Sequence, residues 1–123
     1  QCHGDETSER IINIKKKFNI KIIKTIKVKN ELSLQEISKY QVADEILIDT
    51  PAMEKTQTFN FKILKDINIT RYFLAGGIND KNLKFAMQNT NKIDVSSGLE
   101  SVKGIKDNNK IEKFLNLVKS YEN

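Results

Sequence analysis

Asp49 closes an apolar run, Ile46-Leu47-Ile48, and a carboxylate at the end of such a run is partly desolvated. Desolvation raises a carboxyl pKa, which suits proton donation; the plainer alternative is a side chain that caps the turn at Thr50. Gly76-Gly77 and Ser96-Ser97-Gly98 are two turns of small residues. Small residues let backbone N–H groups approach an anion, and a following helix N-terminus adds a favourable dipole. Two such turns in succession suit a phosphate, although either alone serves equally as a simple turn. Asp94 lies between Ile93 and Val95, an alternation that points it either into a barrel interior or at a helix layer. A carboxylate in either place is costly unless paired. His3, followed by Gly4, is either a hydrogen-bonding ligand group or an ordinary turn histidine. Cys2 has no basic neighbour except His3 and reads as a small buried hydrophobe rather than a nucleophile.

The elements that must hold these residues follow from two alternating periodicities. Residues 7–18 carry Ile11, Ile14 and Phe18 on one helical face, with Asp5, Thr7 and Ser8 as possible caps. Residues 20–28 form a β-branched run that predicts a strand. Ser33-Leu-Gln-Glu36 matches a capping box and predicts a short helix to about Gln41. Strands are expected at 45–49, 71–75 and 92–95, with a polar loop at 50–58 and helical turns at 60–66. Asn79 is a candidate cap for a helix facing inward through Leu83, Ala86 and Met87. A final helix over 108–121 places Ile111, Leu115 and Val118 on one stripe. Strand and helix alternate throughout, an order that requires parallel strands joined by crossovers. In such folds ligands bind at the carboxyl ends of the strands, where His3, Asp49, Gly76, Gly77, Ser97 and Gly98 all fall.

Composition narrows the function classes. The chain has 123 residues, 38% hydrophobic and 30% charged, with a net charge of +5 and a single cysteine. That is one domain's worth of chain. One cysteine makes no internal disulfide and fits a reducing, cytoplasmic setting. No apolar run approaches the length of a membrane span. The lysines, among them Lys15-Lys16-Lys17 and Lys21, Lys24, Lys27 and Lys29, are scattered and not interleaved with aromatic residues, which argues for a solvated basic surface rather than a nucleic-acid site.

Taken together, Gln-Cys-His-Gly-Asp-Glu at 1–6, Ile-Leu-Ile-Asp-Thr at 46–50, Thr-Phe-Asn-Phe at 58–61 and Phe-Leu-Ala-Gly-Gly-Ile-Asn at 73–79 match a known pattern. Asp-Val-Ser-Ser-Gly-Leu-Glu at 94–100, trailed by Lys103-Gly104-Ile105-Lys106-Asp107, is its most specific part. The chain resembles phosphoribosylanthranilate isomerase of tryptophan biosynthesis. That resemblance implies a (β/α)8 TIM barrel and an aldose–ketose isomerase acting on a phosphorylated small molecule by acid–base chemistry, with neither metal nor organic cofactor. It implies Asp49 as general acid, His3 and Asp94 as substrate-binding residues, and Gly76, Gly77, Ser97 and Gly98 as the phosphate cradle.

The departures from the family pattern carry expectations of their own. The family's general base is a cysteine of a Cys-Gly-Ile type motif on the first strand, and an arginine of an early loop serves the substrate; neither is present here. Cys2 stands where the family has the leucine of Gln-Leu-His-Gly, so it is not that base. A complete barrel needs at least about 200 residues. Residues 1–123 are therefore expected to run from the end of strand four through helix eight of one domain, inactive alone and partnered by the missing N-terminal half or by a second copy. Met53-Glu54-Lys55-Thr56-Gln57 replaces a Gly-rich stretch of the family. The alternatives are another phosphate-binding barrel, resembling indole-glycerol-phosphate synthase or a histidine-pathway isomerase, or a basic half-barrel binding module.

Overall fold

A computed structural model describes residues 1–50, Leu64 and 68–122. Of the expected features, the loop from Pro51 to Thr58 with its 53–57 departure, the Thr58-Phe-Asn-Phe61 segment and, apart from Leu64, the 60–66 turns lie outside the described residues. Helix α1 (Ser8–Phe18) opens with the Thr7 hydroxyl accepting from the Arg10 N–H, and Asn19 ends it in a left-handed conformation at φ 50°. Strand β1 (Ile23–Lys27) follows. Helix α2 (Glu31–Gln35) continues as a 3-10 turn at Glu36–Tyr40. Next come β2 (Glu45–Asp49) and β3 (Phe73–Ala75), the latter entered through a 3-10 turn at Ile69–Arg71. Helix α3 (Leu83–Asn89), a short antiparallel hairpin of β4 (Glu100–Val102) and β5 (Ile105–Lys106), and helix α4 (Asn108–Glu122) complete the order.

The principal sheet is parallel, in the order β1-β2-β3. Lys27 pairs with Asp49, and Asp49 with Ala75. Two single parallel bridges extend it, Cys2 to Lys24 on one flank and Leu74 to Ile93 on the other. Five parallel segments thus lie side by side in chain order, with a helical connection after the first, second and fourth.

Alternation sorts the sheet residues into two faces. Ile26, Ile46, Ile48 and Leu74 pack with Leu34, Ile37, Leu83, Ala86 and Phe114 in one buried cluster between sheet and helices. The opposite face carries Thr25, Leu47 and Phe73 in one row and Lys27, Asp49 and Ala75 in the next, at the carboxyl ends. An apolar layer therefore lies directly beneath the layer that holds Asp49.

Three local expectations are revised. The capping box forms between Asn30 and Ser33: Asn30 Oδ1 accepts from the Ser33 N–H at 3.2 Å, and Ser33 Oγ accepts from the Asn30 N–H at 3.4 Å. Asn30 is in extended backbone immediately before the first helical residue, where a cap must sit, so Ser33 becomes the reciprocating partner. Asn79 does not cap α3. Its side chain accepts from the Lys81 N–H at 2.9 Å, and the helix starts only after Asn82. The expected strand at 92–95 is reduced to the bridge at Ile93, where a single pair of bonds joins it to β3: the Leu74 N–H donates to the Lys92 carbonyl and the Asp94 N–H to the Leu74 carbonyl, each at 2.9 Å.

Candidate active site at the carboxyl ends of the strands

Six of the seven residues singled out in the sequence meet in one cavity of about 270 Å³, lined by His3, Asp49, Gly76, Gly77, Asp94 and Ser97 together with Ala75, Ile78 and Ser96. Strand alternation explains the convergence. Asp49 faces away from the helices because Ile48 faces them. Asp94 shares its face because Ile93 bridges Leu74 on the other. The same rule carries Cys2 away from the cavity, since it bridges Lys24 on the helix side.

Gly98 is the exception. Its Cα abuts the Ile78 carbonyl, leaving no room for a Cβ, and it lines a neighbouring cleft with Asn79, Lys110 and Phe114. It shapes the turn from behind rather than lining the cavity.

Burial pushes the Asp49 carboxyl above the usual aspartate range. His3 and Lys27 pull it back electrostatically, while Asp94 adds to the rise. Asp94 itself accepts a hydrogen bond from Gln1 Nε2 at 3.2 Å, linking the first segment of the sheet to the last. The result is a partly desolvated acid beside a second carboxylate and an imidazole, an arrangement suited to delivering a proton.

The glycine turn is fixed by its carbonyls. Gly76 has φ +97° and Gly77 φ +62°, conformations that favour glycine. Thr50, buried at the end of β2, donates its hydroxyl to the carbonyls of Ala75 and Gly76, each at 3.0 Å. Asn79 and Asn82 each donate to the Gly77 carbonyl at 2.9 Å. Among the described residues, the N–H groups of Gly76, Gly77 and Ser97 donate to no protein acceptor. A turn with its carbonyls tied and its N–H groups free is the backbone chemistry that receives an anion.

Lys24 departs from the solvated lysine surface read in the sequence. It is 2% exposed, pairs with Glu6 at 2.8 Å, donates to the Gly4 carbonyl and lies 5.1 Å from the centre of the Tyr40 ring. It thereby anchors the loop that carries His3. Its position between Ile23 and Ile26 in a β-branched run was the available signal, since alternation puts it with the buried residues. Among the described residues no group of three or more His, Cys, Asp or Glu side chains is placed to hold a metal, and no helix is long and apolar enough to cross a membrane.

The family model for N-(5'phosphoribosyl)anthranilate (PRA) isomerase matches residues 1–117. The chain is 39% identical to the N-(5'-phosphoribosyl)anthranilate isomerase of Petrotoga mobilis, over 98% of this chain and 60% of that protein. It is similar in structure to monomers generated from the dimeric phosphoribosylanthranilate isomerase of Thermotoga maritima, at TM-score 0.78 and 29% identity, covering 96% of this chain and 58% of that one. A phosphoribosyl anthranilate isomerase in complex with reduced 1-(o-carboxyphenylamino)-1-deoxyribulose 5-phosphate matches at TM-score 0.76 and 29% identity, over 96% of this chain and 57% of that one. These neighbours are TIM-barrel proteins. The chain spans about 60% of the length of the curated relatives it matches. With α/β order, strand-end cavity and sequence in agreement, the chain belongs to the N-(5'phosphoribosyl)anthranilate isomerase family.

Proposed function

We propose that this chain forms the acid and phosphate-binding part of an isomerase that converts N-(5-phosphoribosyl)anthranilate to its 1-deoxyribulose phosphate product in tryptophan biosynthesis. The observation that carries the reading is the placement of a desolvated Asp49 in the same cavity as the Gly76-Gly77 and Ser97 turns. A phosphate seated on the turns tethers the sugar, and Asp49, on the adjacent strand, protonates the furanose ring oxygen. Adjacent strands lie about 4.8 Å apart, so the two functions are within the span of one sugar phosphate. Ring opening gives a Schiff base, removal of the C2 proton gives the enol, and tautomerisation gives the ketose. His3 and Asp94 hold the sugar between them.

The proton at C2 needs a base that these residues do not supply. Asp94 is read as holding the sugar, and Cys2 faces the helices, away from the cavity. In this reading the five parallel segments are strands four to eight of one barrel domain, and the base, with the remaining strands, comes from a further portion or from a second copy.

The test supplies that portion, taken from a relative, to this chain. Isomerisation is expected only in the mixture. Asp49→Asn in the mixture should lower kcat by about 10²- to 10⁴-fold with little change in KM, the range for loss of a general acid. Full activity of Asp49→Asn, or of the 123-residue chain alone, would sink the assignment.

A further inference from the structure

The hairpin that follows the Ser96-Ser97-Gly98 turn serves no step in the mechanism above, yet its charged groups converge on that turn. Lys106, on β5, directs Nζ to the Ser96 carbonyl at 3.0 Å, to Ser96 Oγ at 2.9 Å and to Glu100 Oε1. An ammonium has three N–H donors, and here all three have acceptors. Lys106 therefore has none left for a phosphate, although it is the lysine bonded directly to the turn.

Glu100 is held equally firmly. Its second oxygen accepts from the Gly104 N–H at 2.9 Å, and its carbonyl accepts from Lys110 Nζ at 2.6 Å. Gly104, at φ +84°, makes the reversal that brings Lys106 back over Ser96. The Asp107 N–H donates to the Leu99 carbonyl at 2.8 Å, closing the far end of the 3-10 turn at Ser97–Leu99. Asp107 then caps α4 through the Lys110 N–H at 3.1 Å. One continuous chain of bonds runs from the turn through the hairpin into α4.

We propose that Lys106, fixed by Glu100, is a positioning residue for phosphate recognition, a strut that holds Ser96 and Ser97 in the cavity wall. The inference rests on the phosphate reading of the preceding subsection. Without the strut the turn samples other conformations, and the cost of ordering it moves into the binding step. Lys113 is the natural control. It carries the same charge and lines the neighbouring cleft, but it pairs with Asp80 at 2.8 Å and does not touch the turn.

The experiment measures the dissociation constant of inorganic phosphate by titration calorimetry for the chain completed as above. Lys106→Met should weaken it by about 10-fold or more. Lys106→Arg should recover most of that loss, and Lys113→Met should leave it within a factor of about two, as expected for a screened surface charge. In the assay, KM for the phosphorylated substrate should rise by a larger factor than kcat falls, a split that general destabilisation does not produce. Should Lys106→Met fail to fold, Glu100→Gln releases the same ammonium and should weaken phosphate binding in the same direction. Unchanged phosphate affinity in Lys106→Met, or an equal loss in Lys113→Met, would overturn the strut while leaving the cradle standing. Absence of phosphate binding by the unmodified protein would overturn both.

Discussion

Burial distinguishes Asp49 from the other carboxylates whose environments move them. Glu6, Asp44, Asp80 and Glu100 are all held below their usual range, chiefly by a hydrogen bond from a lysine or, for Asp44, from the Ile22 N–H. Asp49 alone among them is pushed up, and desolvation leads the causes. An acid that must be protonated to act loses activity as pH rises through its pKa, so burial extends the active range to higher pH. Lys27, its strand neighbour, opposes this. Lys27→Met should therefore move the alkaline limb of the kcat/KM profile upward, measured for the completed enzyme between pH 4 and 9. A limb that stays in place or moves down would mean that some other group sets it. Asp49 was visible in the sequence because three apolar residues precede it. The role of Thr50 was not, since its partners, the carbonyls of Ala75 and Gly76, are main-chain atoms that residue identity does not reveal; the burial of Lys24 was legible, but its partners, Glu6, Tyr40 and the Gly4 carbonyl, are set by tertiary folding.

At the scale of the element, two glycines with positive φ differ in what surrounds them. A Cβ on Gly76 would overlap the Thr50 backbone and hydroxyl, whereas one on Gly104 would meet nothing within 4 Å. Gly76→Ala should cost on the order of 3 kcal/mol from strain and overpacking together, and Gly104→Ala about 1 kcal/mol from strain alone. Urea unfolding of the two variants checks the order; equal losses would mean that the packing at Thr50 relaxes freely. Periodicity found α1, β1, β2, β3 and α4 as elements but misjudged two helix faces: Phe18 of α1 and Leu115 of α4, expected inward, are 59% and 52% exposed, and the buried residue of α4 is Phe114. It missed the hairpin of β4 and β5, whose residues are mostly exposed, so no alternation marks them. It also placed the capping box at Ser33-Glu36, since the template fits there as well. The extended backbone of Asn30 decided between the two.

For the whole molecule, the sheet ends on both flanks in single bridges, at Cys2 and at Ile93. Strand edges with unpaired N–H and C=O groups recruit further strands. Phe18 and Ile20, at 59% and 50% exposed, add apolar surface near the start of β1. On the proposed reading of a partial barrel, the 123-residue chain alone should self-associate with rising concentration, and addition of the remaining strands from a relative should suppress this. Sedimentation velocity follows both; a monodisperse monomer over a 100-fold concentration range would show the edges to be already protected.

The cavity draws His3, Asp49, the Gly76-Gly77 turn, Asp94 and Ser97 from four strand ends, those of the first, third, fourth and fifth parallel segments. No contiguous stretch of chain holds enough of it to bind anything. An anion that selects this cavity therefore selects the fully assembled sheet over every partly folded form, and becomes a ligand for folding itself. At about 100 times its dissociation constant such a ligand adds about 2.7 kcal/mol to the unfolding free energy. The supply of such an anion would then set how much of this chain survives in its folded state.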